Sequence, residues 1–308
     1  MVSQADLDHF YETLVVSVRS AGGACAITSG MACVHYGIAF SFSTKVCDLL
    51  CLADGASQLL EILARTEFQG VRCRYRGNIS PPLDARWLRG GWTSHFRWPF
   101  DKAEPHLDVF GIAPRGTTRW ERETQGLYAH PHTVAEMKRT DRTKDWPFAT
   151  ALGTRMLNEG DARGWLHLFA DDILMEMASK RPCPDEIRCR RPVLELAFSN
   201  DSRLRSAVMA EIHYWHELDR IRLRVHEQAV RPYLSAVRRE QLREEADLMV
   251  QHAARLKCAE ELLVINPVAA YGIDRLIQEA REEVRQYSGD TWLPWLPDVH
   301  ENFEELAT

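Results

Sequence analysis

Between Val46 and Leu52 the chain reads Val-Cys-Asp-Leu-Leu-Cys-Leu, a continuous apolar run of strand length broken once, by Asp48. A carboxylate set in an apolar strand is costly unless a cation or a hydrogen-bond donor compensates it. The segment His106 to Ile112 (HLDVFGI) poses the same problem at Asp108. Each aspartate therefore asks for a partner. A metal ion is one candidate, and a salt bridge or a turn cap at a strand end is the other.

The surrounding pattern alternates short strands with helices. Residues 5 to 20 place Phe10, Leu14, Val15 and Val18 at helical spacing, and Ala21-Gly22-Gly23 stops the pattern. A strand is expected from Ala24 to Ile27, a tight turn at Thr28-Ser29-Gly30, and a helix from Met31 to Tyr36 that ends at Gly37. Ser57 reads as the N-cap of a helix over Gln58 to Leu63. From Val71 to Arg76 the alternation puts Arg72, Arg74 and Arg76 on one strand face, either a solvated sheet surface or a phosphate site. Residues 77 to 104 are rich in Gly, Pro and Trp and show no clear period.

Beyond about residue 115 helical periodicity takes over. Helices are expected at Thr133–Arg139, Thr143–Leu157 and Gly164–Lys180, before the Pro182-Cys183-Pro184 break. A long charged helical segment covers about 201 to 262, with Pro232 as a kink or boundary, and one more helix covers 268 to 287. The expectation is an α+β protein: an α/β domain over 1–115 with a short mixed sheet and flanking helices, then a mainly helical region over 116–308.

Composition sets the outer limits. With 45% hydrophobic and 27% charged residues, a chain of 308 residues can build a real core. A net charge of -6 gives no bulk attraction to nucleic acid or to an anionic membrane, so any polyanion must be met by a local patch. The first residues show no secretory pattern, and no apolar stretch approaches the roughly eighteen residues of a spanning helix. A cytoplasmic protein without a membrane partner is expected. The eight cysteines are too sparse for a disulfide scaffold, and reduced, buried thiols are expected.

The stretch from Ile27 to Cys51 (ITSGMACVHYGIAFSFSTKVCDLLC) resembles the signature of the nucleotidyltransferase superfamily, in particular its bacterial abortive-infection (toxin–antitoxin) and minimal members. Ser29-Gly30 stands at the family's turn, Ala32 at its small position, Gly37 at the helix end, and Thr44 to Leu49 at its Thr-x-Asp-h-Asp-Leu strand. Asp108 matches the third carboxylate. Thr133 to Leu152 is similar to a downstream family segment, with Lys138, Arg139, Arg142, Lys144 and Asp145 in the matching places. The resemblance implies a nucleotide held by Ser29, Gly30, Thr44, Lys138 and Lys144. It also implies Mg²⁺ on the catalytic pair Asp48 and Asp108, and nucleotidyl transfer from an NTP to a hydroxyl on an RNA or protein acceptor.

One position departs from that pattern: the first aspartate of the pair is Val46, which has no coordinating atom. The loop from Ile38 to Thr44 is also about two residues longer than the family pattern. The resemblance thus leaves two readings, an impaired transferase and an inactive relative that binds a nucleotide or a protein partner. Elsewhere, Trp87, Trp92, Phe96, Trp98 and Phe100 with Arg86, Arg89 and Arg97 form either a base-stacking surface or a packed loop. His213 and His216, a helical turn apart, either share a metal or are ordinary interface residues. Oligomeric state is not encoded in any of these features.

Overall fold

The computed structural model describes residues 3–39, 45–77, 80–100, 104–116, 119–240 and 247–307. Nine strands are seen among them: β1 (Cys25–Thr28), β2 (Val46–Cys51), β3 (Glu67–Phe68), β4 (Val71–Arg72), β5 (Arg74–Tyr75), β6 (Thr93–Arg97), β7 (His106–Phe110), β8 (Thr124–Gln125) and β9 (Tyr128–Ala129). Seven form one sheet in the order β5-β6-β7-β2-β1-β9-β8. The β2/β7 and β1/β9 pairs are parallel and the others antiparallel, so the sheet is mixed. The remaining hairpin, β3-β4, turns at Gln69-Gly70 with φ of 51° and 78°. Two successive positive φ values suit the right-handed twist of a two-residue hairpin.

The helices are α1 (Gln4–Ser20), α2 (Ser29–His35), α3 (Ala56–Arg65), α4 (Ala85–Arg89), α5 (Pro131–Met137), α6 (Trp146–Asn158) and α7 (Asp171–Lys180). There follow α8 (Asp185–Arg190), α9 (Val193–Phe198), α10 (Leu204–Arg239), α11 (Leu248–Leu262), α12 (Pro267–Tyr271), α13 (Ile273–Ser288) and α14 (Glu304–Ala307). The α+β architecture is as expected: a mixed sheet followed by a helical region. The sheet nevertheless takes β8 and β9 from beyond residue 115, and β9 pairs with β1 through Ile27 and Tyr128.

Period-two alternation positions the site. Cys47 and Leu49 on β2, Leu107 and Val109 on β7, and Phe96 on β6 are buried. They share one core with Leu7, Tyr11, Leu14, Val15 and Val18 of α1 and Leu59, Leu60 and Leu63 of α3. The intervening residues Val46, Asp48, His95, Arg97, His106 and Asp108 are only partly buried and lie on the other face. The hydrophobic face thus fixes the strand register, and a slip of one residue would bury the charges.

The Trp-rich segment is a packed layer and not a base-stacking surface. Trp87, Trp92 and Trp98 are buried, with their indole N–H groups donating to Leu263 O, Val264 O and Thr66 O. Trp87 and Trp92 share a core with Tyr233, Ala236 and Val237 of α10 and Cys258 and Ala259 of α11. The edge strand β5 is covered from the same side. The Tyr75 amide donates to Gln251 Oε1 at 3.1 Å and Arg255 donates to Gly77 O at 2.7 Å. Covering an edge in this way removes a template for strand pairing with other chains.

Several element boundaries differ from the sequence reading. α3 begins at Ala56 directly after a 3₁₀ turn at Ala53–Gly55, so Ser57 lies inside the helix and is not its cap. The expected helix over 164–180 is a 3₁₀ segment at Ala162–His167 followed by α7. α10 runs through Pro232 without a break; the proline is exposed, so the helix gives up one backbone bond on its solvent side. The single helix expected over 268–287 is split at Gly272, whose φ of 100° is open to glycine. No helix among the described residues is long and apolar enough to cross a membrane.

Candidate functional site

Asp48 and Asp108 are directly opposite each other on the parallel strands β2 and β7, and Thr28 and His95 are their outer partners on β1 and β6. Four strands therefore bring Thr28, Asp48, Asp108 and His95 into one row. Immediately after Thr28 the chain turns at Ser29, whose φ of 55° is unusual for a residue with a side chain. Ser29 forms a hydrogen bond to Asp48, and its Oγ accepts from Lys138 Nζ at 3.3 Å. A side-chain carbon added at Gly30 meets no atom within 4 Å among the described residues, so the backbone there is open to approach.

Lys138 follows α5 and is buried. Its Nζ lies 3.3 Å from Asp145 Oδ1, and Asp145 is further held by Thr140 Oγ1 at 2.8 Å and Arg142 Nη2 at 2.7 Å. Lys138 thus braces the Ser29 turn against the start of α6. Lys144 is exposed in the 3₁₀ turn Thr143–Asp145, away from these contacts. Arg139 is buried with its guanidinium over Trp215 and serves packing. Thr44 lies outside the described residues.

The two carboxylates have different environments. Burial pushes the Asp48 carboxyl up to about 6, and the charge of Asp108 adds to this; the Ser29 hydrogen bond, Lys138 and Arg142 oppose it. At Asp108 burial acts in the same direction, but the His95 hydrogen bond and the charges of His95 and Arg76 outweigh it and hold the group below its ordinary value. Arg76 Nη2 is 2.9 Å from Asp108 Oδ1, and His95 Nδ1 is 2.8 Å from the same oxygen. An ionised carboxylate only accepts, so His95 Nδ1 carries the proton it donates. Arg76 Nη1 is 3.1 Å from His106 Nδ1, and arginine only donates, so the proton of neutral His106 is on Nε2.

Sequence reasoning singled out Asp48, Asp108, Ser29, Gly30 and Lys138, and the fold gathers them. It passed over His95 and His106. Little in Thr93-Ser94-His95-Phe96-Arg97, with Phe96 its one apolar residue, marks His95, whereas His106 stands two positions before Asp108 on the same face. Arg76 belongs to the arginine face recognised in the sequence, with its partner 32 residues away.

The donor set was tested against a pair of Mg²⁺ ions. Val46 pairs with His106 and supplies no oxygen, and Asp108 already holds a guanidinium. Among the described residues no group of three or more His, Cys, Asp or Glu is placed to hold a metal ion. The residues therefore do not fit a two-ion centre. His213 and His216 are likewise engaged separately: His216 Nε2 accepts from Trp146 at 2.7 Å, and the His213 ring lies 4.9 Å from that of Tyr287.

A concavity of about 710 Å³ lies past the ends of β2 and β7, apart from this row of residues. Among its lining residues Arg89 is paired with Asp54 and Arg119 with Glu121. No family model, curated protein or solved structure matches this chain, so the reading of the site rests on its own geometry.

Proposed function

We propose that this chain is a nucleotidyltransferase-like protein that binds a nucleotide on the Asp48/Asp108 sheet face and performs no metal-dependent transfer. One observation carries the reading: residues from four distant segments, Ser29, Asp48, Asp108 and Lys138, meet around a strained turn whose backbone is open at Gly30. A residue held at positive φ, and a carboxyl held at a raised pKa, both cost stability and are typical of sites selected for something else. The cations Arg76 and Arg142, partly exposed, flank the two carboxylates and offer charge-assisted hydrogen bonds to phosphate oxygens.

The competing reading is nucleotidyl transfer from an NTP to a hydroxyl of RNA or protein with Mg²⁺. The facing register of Asp48 and Asp108 favours it, and Val46 and Arg76 oppose it. The two separate in one experiment. The protein is titrated calorimetrically with each of the four NTPs, and incubated with labelled NTPs, Mg²⁺ or Mn²⁺, and a pool of RNA and protein acceptors. Saturable binding of at least one NTP without label transfer is expected. Label transfer that Asp48→Ala abolishes would make the protein an enzyme and overturn the proposal.

A further inference from the structure

Arg76 is not an ordinary surface arginine. Its own amide donates to His95 O at 2.9 Å; on one side Tyr75 is fixed by Gln251, and on the other Gly77 O accepts from Arg255. With its backbone clamped on both sides, the guanidinium reaches over the sheet to Asp108 Oδ1 at 2.9 Å and His106 Nδ1 at 3.1 Å, while His95 closes on the same Asp108 oxygen. A carboxylate and two imidazoles, the donors most useful to a divalent ion, surround one fixed positive charge. About a quarter of the Arg76 side chain is exposed.

We infer that Arg76 is a built-in cation that takes the place of a divalent ion on this face, so that a phosphate-bearing ligand is recognised there without metal. The guanidinium has five N–H donors in one plane; Asp108 and His106 take part of that set, and phosphate oxygens accept from the same kind of fork. Asp108 then serves to hold the arginine, and Val46 is tolerated because no ion needs a ligand at its position. The ligand half of this inference rests on the proposed nucleotide reading. The half concerning Arg76 and the metal does not.

The test uses the full chain and reads both halves. Free Mn²⁺ is followed by electron paramagnetic resonance, and ATP affinity is measured by calorimetry in EDTA and in Mg²⁺. The wild-type protein is expected to leave the Mn²⁺ signal unchanged and to bind ATP equally well with and without metal. Arg76→Ala uncovers Asp108 beside Asp48. It is expected to take up Mn²⁺, to lose this on further Asp108→Ala substitution, and to bind ATP roughly tenfold more weakly in EDTA, with recovery in Mg²⁺. Arg76→Gln, close in length and uncharged, is made alongside in case the alanine variant does not fold.

Should the wild type bind no nucleotide while either variant gains Asp108-dependent Mn²⁺ uptake, the arginine inference stands and the nucleotide reading falls. Asp108-dependent Mn²⁺ uptake by the wild type would overturn the inference. So would a roughly tenfold gain in wild-type ATP affinity on adding Mg²⁺. Folded Arg76 variants with no Mn²⁺ uptake and unchanged ATP affinity would overturn it as well.

Discussion

Replacing Asp219 by alanine is expected to lower the unfolding free energy by about 3–5 kcal/mol, the cost of leaving a buried charge uncompensated. Asp219 on α10 is buried, with Arg115 Nη1 at 2.5 Å, Arg222 Nη2 at 2.9 Å and the Asp141 amide at 3.2 Å. Arg115 is itself buried, sits at φ 66°, donates to Met137 O at 2.7 Å, and accepts from Asn302 Nδ2 through its carbonyl at 2.6 Å. One carboxylate therefore ties together the loop after β7, the turn after α5 and the long helix.

Burial would raise the Asp219 carboxyl, but Arg115 and Arg222 overcome this and depress it to about 2. The folded value lies below the unfolded one, so this contribution is fully present above about pH 4 and is lost as the pH falls towards 2. Urea titrations at pH 7 and pH 3 check both statements. A loss below about 1 kcal/mol for Asp219→Ala at pH 7 would show that the network is not holding these segments.

Asp48→Asn is expected to have the opposite sign. The Asp48 carboxyl is raised to about 6, above its unfolded value, so the folded protein binds the extra proton between about pH 4 and pH 6. Wild-type stability therefore falls as the pH rises through that window and levels off above it. A shift of about two units corresponds to roughly 3 kcal/mol, and partial solvent screening reduces it to about 2 kcal/mol. The asparagine variant should be more stable than wild type by about that amount at pH 7.5 and equal to it at pH 4. Thermal melts at the two pH values measure the difference. A variant less stable than wild type at pH 7.5 would mean that Lys138 and Arg142 already compensate the charge. A carboxylate kept at a net cost to stability is what a binding site looks like in thermodynamic terms.

The legible parts of the sequence were those where a single residue contradicts its neighbours. Asp48 and Asp108 stand out because each interrupts an apolar run, and Ser29-Gly30 because it punctuates a strand and a helix. Their being opposite each other depends on the β2/β7 pairing, which the alternation of Cys47, Leu49, Leu107 and Val109 supports but does not name. What stayed hidden depends on distant partners. β6 lies in a Trp- and Gly-rich stretch and becomes a strand by pairing with β5 and β7. Trp87 and Trp92 just before it pack on helices about 150 residues later, which no local pattern distinguishes from a surface waiting for a base. Arg76 read as one of three alternate arginines; only the fold shows that it faces Asp108. Pro232 read as a kink or a boundary; the helix continues through it, and at that exposed position the missing backbone bond lies on the solvent side.

This sheet face, with Arg76 as its cation, is the expected place of nucleotide binding. A crystal structure of the full chain with a non-hydrolysable nucleoside triphosphate and Mg²⁺ tests it most directly. Phosphates are expected against the Ser29-Gly30 turn, within hydrogen-bond reach of Arg76, with Arg76 still on Asp108. A nucleotide lodged in the 710 Å³ concavity past β2 and β7 would contradict it. So would a metal ion bridging Asp48 and Asp108 with Arg76 displaced.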